Sequence, residues 1–86
     1  MYYVYVLKSL NSGRLYTGFT QDLRKRLSEH HGSNRGGTKY RRPYELIYYE
    51  ACLNKEDVKS WEVYLKSGMG KRFIRTRLKR FLSPTG

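Results

Sequence analysis

Apolar residues recur along this chain with two different periods. Tyr2 to Leu7 is a run of aromatic and β-branched side chains without Gly or Pro, which predicts a strand near residues 2–8. Side chains alternate across a strand, so Tyr3, Tyr5 and Leu7 share one face, Val4 and Val6 take the other, and both faces need cover. Asn11-Ser12-Gly13 is a turn signal, and the segment from Leu15 to Thr20 predicts a second strand near 14–19 that closes a hairpin. The stretch from Glu45 to Cys52 alternates poorly but is rich in Leu, Ile and Tyr, which predicts a third strand near 45–52, buried on both faces.

Elsewhere the period lengthens to that of a helix. Leu23 and Leu27 form an i, i+4 stripe in a helix near 21–31, with Thr20 as N-cap, Asp22 in the first turn and Gly32 just past the end. At 100° per residue His30 lies about 20° from Leu23 and Arg26 about 60° away on the same side, so both flank the buried seam. Arg24, Lys25, Ser28 and Glu29 take the outward, solvated positions. Asn54 caps a second helix near 55–67, with Glu56 and Asp57 in its first turn, Gly68 at its end, and Val58, Trp61 and Leu65 pointing inward. A third helix near 70–81 sets Phe73, Ile74, Leu78, Phe81 and Leu82 among the cations running from Lys71 to Arg80. The order β-β-α-β-α-α predicts an α+β domain over residues 1–82, a three-stranded, mainly antiparallel sheet flanked by three helices, with 83–86 as a short tail.

Eighteen Lys and Arg stand against seven Asp and Glu in 86 residues, a formal net charge of +11. One small basic domain predicts a polyanionic partner, DNA first with RNA left open, although charge alone selects no activity and a cationic solvated surface gives the same composition. Residues 32–43 combine glycines with small polar residues and cations, so they read as a loop. Arg35, Lys39, Arg41 and Arg42 there, and Lys71, Arg72 and Arg75 on the last helix, are the expected phosphate contacts. The single Cys52 makes no bridge within the chain, and its apolar setting suits a reduced, buried thiol. No apolar run reaches the roughly 18 residues of a membrane span, and the N-terminus lacks the basic-then-apolar order of a signal peptide. A cytoplasmic protein with no membrane partner is expected.

Glu62 is the most informative acid. It sits at the edge of the inward stripe of its helix, four residues after Val58 and three before Leu65. An ionised carboxylate beside a core needs a cation, a metal or the lip of a cleft; on spacing alone a salt bridge to one of the arginines is the commoner outcome. Tyrosines are numerous, nine in all, and most of them are packing residues.

Taken in order, Tyr3-Val4-Tyr5, Tyr16-Thr17-Gly18, Asp22-Leu23, Arg26, His30 and then Glu62 with Leu65-Lys66 resemble a free-standing GIY-YIG domain. This is the nuclease module shared by the UvrC repair nuclease and intron-encoded homing endonucleases, and in size the chain is similar to the short, single-domain YhbQ-like subgroup. The likeness covers nearly the whole chain, with Tyr3 standing where the family name has glycine and no asparagine following Glu62. It implies a structure- or damage-directed DNA endonuclease that hydrolyses phosphodiester bonds with one divalent ion, Mg²⁺ or Mn²⁺. By the resemblance Glu62 would ligate the metal, Arg26 would hold the phosphate, and Tyr5 would act as general base or orient the attacking water, with Tyr16 and His30 hydrogen-bonded around it. An unperturbed tyrosine titrates near 10, so a base role requires cationic neighbours such as Arg26, and which tyrosine carries the proton stays open. Relatives attach separate targeting modules, which implies a protein partner that directs cutting. The alternative is a non-catalytic nucleic-acid-binding module that assists another repair or recombination nuclease.

Overall fold

The computed structural model describes residues 1–31 and 44–82, apart from the side chains of His30 and His31. β1 (Tyr2–Ser9) runs between β2 (Leu15–Thr20) and β3 (Tyr44–Cys52), antiparallel to both, so the sheet order is β2-β1-β3. The helices are α1 (Leu23–His31), α2 (Lys55–Lys66), α3 (Gly68–Arg77) and the short α4 (Lys79–Leu82). The architecture is α+β, as its periodicities predict.

The unbroken apolar run takes the centre of the sheet because both its faces are covered. Val4 and Val6 pack with Leu15, Val58, Leu65 and Ile74, which places α2 and α3 over that face, while Tyr5 and Leu7 are buried on the other. Each fully buried aliphatic side chain contributes ~1.5–3 kcal/mol. The hairpin turn is closed by Ser9, whose buried Oγ accepts from the Asn11 and Ser12 amides at 3.3 and 3.2 Å, and by Gly13 at φ +79°, where a side chain would be strained.

Several expectations are corrected. β3 is not buried on both faces: it is an edge strand, half-buried, with Tyr49 and Glu50 exposed. Its poor alternation has a cause in the pairing, because the register shifts between Val6 opposite Tyr48 and Leu7 opposite Leu46, leaving Ile47 as the extra residue of a bulge. Cys52, at the end of this edge strand, is only half-buried. The N-cap of α1 is Asp22 rather than Thr20, since Asp22 Oδ1 accepts from the Lys25 amide at 3.0 Å. Thr20 instead makes a local turn, its Oγ1 accepting from the Asp22 amide at 3.1 Å.

Ser67, not Gly68, ends α2. Its Oγ donates to the Tyr64 carbonyl at 2.6 Å and accepts from the Gly70 amide at 3.1 Å, so one serine closes α2 and caps α3, which begins at Gly68 rather than near 70. The last helix is two pieces, because Leu78 leaves helical geometry at φ −107° and ψ 26°. Phe81, expected inside, is exposed beyond that break. The expected Gly32 helix stop, the 32–43 loop and the 83–86 tail lie outside the described residues. No helix among the described residues is long and apolar enough to cross a membrane.

Candidate active site

Tyr5 stands opposite Gly18 in the β1–β2 pairing. A Cβ at position 18 would collide with the Tyr5 Oη and Cζ and come within 2.9 Å of a ring carbon, so the phenol lies across β2 through the gap that the glycine leaves. Tyr5 as a whole is 3% exposed. Leu7 opposite Tyr16 keeps Tyr16 on the same face, two residues along β2. Tyr16 is 40% exposed, and its ring meets Tyr44 edge-on at 5.4 Å.

α1 delivers the cation. Arg26, half-buried as its wheel position predicts, donates a hydrogen bond to the Tyr5 hydroxyl, and its Nε lies 3.4 Å from Glu29 Oε1, one turn on. Burial pushes the Tyr5 phenol above its ordinary value of 10.0; Arg26 opposes this by charge and hydrogen bond, and the Glu62 and Glu29 carboxylates add to the rise. Desolvation wins, so Tyr5 is a neutral phenol at neutral pH. Arg26 by itself therefore does not produce the phenolate that a base role for Tyr5 calls for.

Glu62 is placed by α2, whose inward residues Val58 and Leu65 are fully buried. Its side chain is 18% exposed, and Oε2 lies 3.0 Å from Lys66 Nζ. The partner is a lysine on the same helix, not an arginine from elsewhere, and such an i, i+4 pair contributes only ~0.2–0.5 kcal/mol, so the carboxylate exchanges partners at small cost. Its field at Tyr5 links α2 to the Tyr5–Arg26 pair. Tyr5 and Arg26 thus touch, Glu62 lies within electrostatic reach, and Tyr16 leans on Tyr44 along the same face. The His30 side chain and Arg35, Lys39, Arg41 and Arg42 lie outside the described residues. Lys71, Arg72 and Arg75 are exposed on α3, where they line an open groove of about 560 Å³ with Gly68, Thr76 and Lys79.

Among the described residues no three His, Cys, Asp or Glu side chains gather to cage an ion. One half-buried carboxylate does not fit a metal held wholly by protein. It fits a hydrated Mg²⁺, which takes one or two carboxylates and completes its shell with water and substrate phosphate.

Gly18 belongs to a tripeptide the sequence flagged, but its task of housing the Tyr5 ring appears only in the pairing. Replacing it with alanine forces that ring aside. Gly18→Ala is expected to lose ~1–3 kcal/mol in denaturant melts and to break the Arg26–Tyr5 contact, seen as a changed Tyr5 titration.

A pH effect has a definite sign. Tyr5 and Tyr48 both titrate above 10.0, chiefly through burial, and for Tyr48 also because its hydroxyl donates to Glu50 Oε1 at 2.8 Å. A proton held more tightly when folded stabilises fully below the unfolded value and is lost as pH rises through the folded one. Chemical melts should therefore show stability falling above pH 10, and less steeply in a Tyr5→Phe, Tyr48→Phe double variant.

Residues 1–81 match the family model described as the GIY-YIG catalytic domain. A UPF0213 protein of Streptococcus pyogenes is 45% identical over 65 residues, spanning 74% of this chain and 70% of that protein. A UPF0213 protein of Clostridium perfringens is 44% identical over 69 residues, spanning 77% and 71%. The solution NMR structure of a UPF0213 protein from Bacillus halodurans shares the fold with a TM-score of 0.56 at 30% identity, covering 88% of this chain and 84% of that one. GIY-YIG domains are generally nucleases, act on nucleic acid and use a divalent metal. The Gly18 gap beneath Tyr5 gives the two tripeptides a physical reason to occur together, and the match over residues 1–81 extends that likeness to a whole domain: this chain belongs to the GIY-YIG family.

Proposed function

We propose that the protein is a cytoplasmic, metal-dependent DNA endonuclease that hydrolyses phosphodiester bonds with one divalent ion. One observation carries this reading: a guanidinium hydrogen-bonded to a buried neutral phenol, with the half-buried Glu62 carboxylate in electrostatic reach. A protein that only binds phosphate gains nothing from a half-buried carboxylate near the phenol that its arginine contacts.

The roles follow from what each group touches. Arg26 spends part of its fork on Tyr5 and Glu29, and its remaining N–H groups take the non-bridging oxygens of the scissile phosphate, stabilising the charge that grows there. Tyr5, held by Arg26, would orient the attacking water through its hydroxyl, a task that needs no phenolate. Glu62 would hold the ion, giving up Lys66; when bound, the ion acts as a Lewis acid at the leaving oxygen. Tyr16 and His30 are assigned to the hydrogen-bonded surround of Tyr5.

The deciding experiment is nicking of supercoiled, branched and damaged DNA by the purified chain with Mg²⁺ or Mn²⁺. Binding without any cutting would replace this reading with the non-catalytic binding module. The α3 groove is assigned to phosphate contacts away from the reacting bond. Charge reversal of Lys71, Arg72 and Arg75 to glutamate should weaken DNA binding and flatten its salt dependence by about 0.9 in slope per lost contact, measured by fluorescence anisotropy.

A further inference from the structure

Beside Arg26 the molecule has a second opening to which no role has been given. It is a cavity of about 390 Å³ bordered by the end of β2, by α1 and by the start of α2, lined by Phe19, Thr20, Gln21, Lys25, Arg26 and Lys55. Asp22 and Glu29 complete the wall, and both are already engaged. Asp22 Oδ1 caps α1 by accepting from the Lys25 amide, and Glu29 faces the Arg26 Nε. Lys25 and Lys55 form no ion pair among the described residues. Two ammonium groups from different helices and the Arg26 guanidinium therefore border one cavity against two carboxylates, which leaves its wall with a net positive charge.

The wall between them is apolar on one side. Phe19 is held there by stacking on Tyr2, with centroids 6.3 Å apart and planes 8° from parallel. Cations at a rim with an apolar wall suit a ligand that is anionic at one end and apolar at the other, as a nucleotide is. Arg26 borders this cavity and also contacts Tyr5, so whatever occupies it sits next to the reacting centre.

We propose that this cavity is a subsite for the nucleotide adjoining the scissile bond, with Lys25 and Lys55 holding its phosphodiester and Phe19 lying against its sugar or base. This rests on the nuclease reading and deepens it: Arg26 takes the scissile phosphate, the two lysines take its neighbour on the same strand, and together they fix the register of the cut. Lysine suits the task because its mobile point charge follows a phosphate without demanding one geometry. From sequence, Lys25 is a member of a solvated face, and Lys55 is one cation among eighteen Lys and Arg.

The test reads binding, so it does not depend on turnover. Short single-strand and duplex oligonucleotides carrying one neutral methylphosphonate, moved step by step along the strand, are titrated by fluorescence anisotropy against wild type and Lys25→Gln, Lys55→Gln. Wild type should lose about tenfold in affinity when one linkage next to the position held by Arg26 is neutralised, that position being marked by the methylphosphonate to which Arg26→Ala is insensitive. The double variant, its fold checked by circular dichroism, should bind neutral and native linkages there equally while keeping its sensitivity at the Arg26 position. A double variant as sensitive as wild type at every position overturns the subsite. So does a loss seen only when a terminal phosphate is removed, since the cavity would then read strand ends. Wild type that shows the expected pattern yet never cuts overturns the nuclease reading alone.

Discussion

Glu62→Gln is expected to lose metal-dependent cleavage by ~10²-fold or more while keeping its fold and most of its affinity for DNA. Glutamine preserves the shape of the side chain and removes the charge, and the only ion pair given up among the described residues is the weak one to Lys66. In a chain with net charge +11, one anion fewer does not weaken attraction to phosphate. Arg26→Ala should lose ~10²–10³-fold, because the proposed donor to the charge developing on the phosphate is removed, and it should also weaken binding and leave the Tyr5 hydroxyl without its Arg26 partner. Single-turnover cleavage and anisotropy on the same preparations separate the two variants. If Glu62→Gln cuts as fast as wild type, the carboxylate has no part in the chemistry.

The second large effect is structural. A Cβ on Gly70 would collide with the Tyr64 carbonyl oxygen and the Leu65 Cα, and would lie 2.7 Å from the Tyr64 carbonyl carbon. These are backbone atoms of α2, so no rotamer change relieves the contact, and the first turn of α3 would have to lift away from α2. The aromatic contacts between the helices, Trp61 against Phe73 at 5.6 Å and Tyr64 against Phe73 at 6.4 Å, would open with it. Gly70→Ala should cost about 3 kcal/mol or more, lowering Tm by roughly 12–24 °C in a domain of this size. Gly68→Ala, two residues earlier on the same helix, is the control: its Cβ meets nothing within 4 Å, so the melt should move little, or upward through helix propensity.

The contrast between these glycines shows where the sequence is legible. Periodicity and capping locate the three strands and the helices to within a few residues, because those signals are local to each element. Neither glycine's function is local. Gly68 reads as a helix stop, yet Ser67 does that work with one hydroxyl, and Gly70 carries no signal because its constraint is the backbone of another helix. β3 fails for the same reason: an apolar run reveals a strand, but only the pairing reveals that it is an edge and that Ile47 bulges. At the site, wheel positions place Arg26 and Glu62 beside the core, and the ordered motif selects Tyr5. The protonation state of Tyr5 depends on how deeply its hydroxyl is buried beside Gly18, which composition does not encode. Lys25 and Lys55 are invisible for a simpler reason, since nothing in a list of cations says which two border the same hole.

Ser67 has a consequence for how the molecule opens. Helices usually fray from their ends, where the terminal amides and carbonyls are least held. Here the end of α2 and the beginning of α3 are tied by the two hydrogen bonds of a single side chain, to the Tyr64 carbonyl and from the Gly70 amide. Loosening either terminus breaks one of those bonds, so the opening of the helix that carries Glu62 is coupled to that of the helix that carries Lys71, Arg72 and Arg75 by ~1 kcal/mol per bond. The joint behaves as a rivet: it favours the carboxylate and the cationic groove being ordered together.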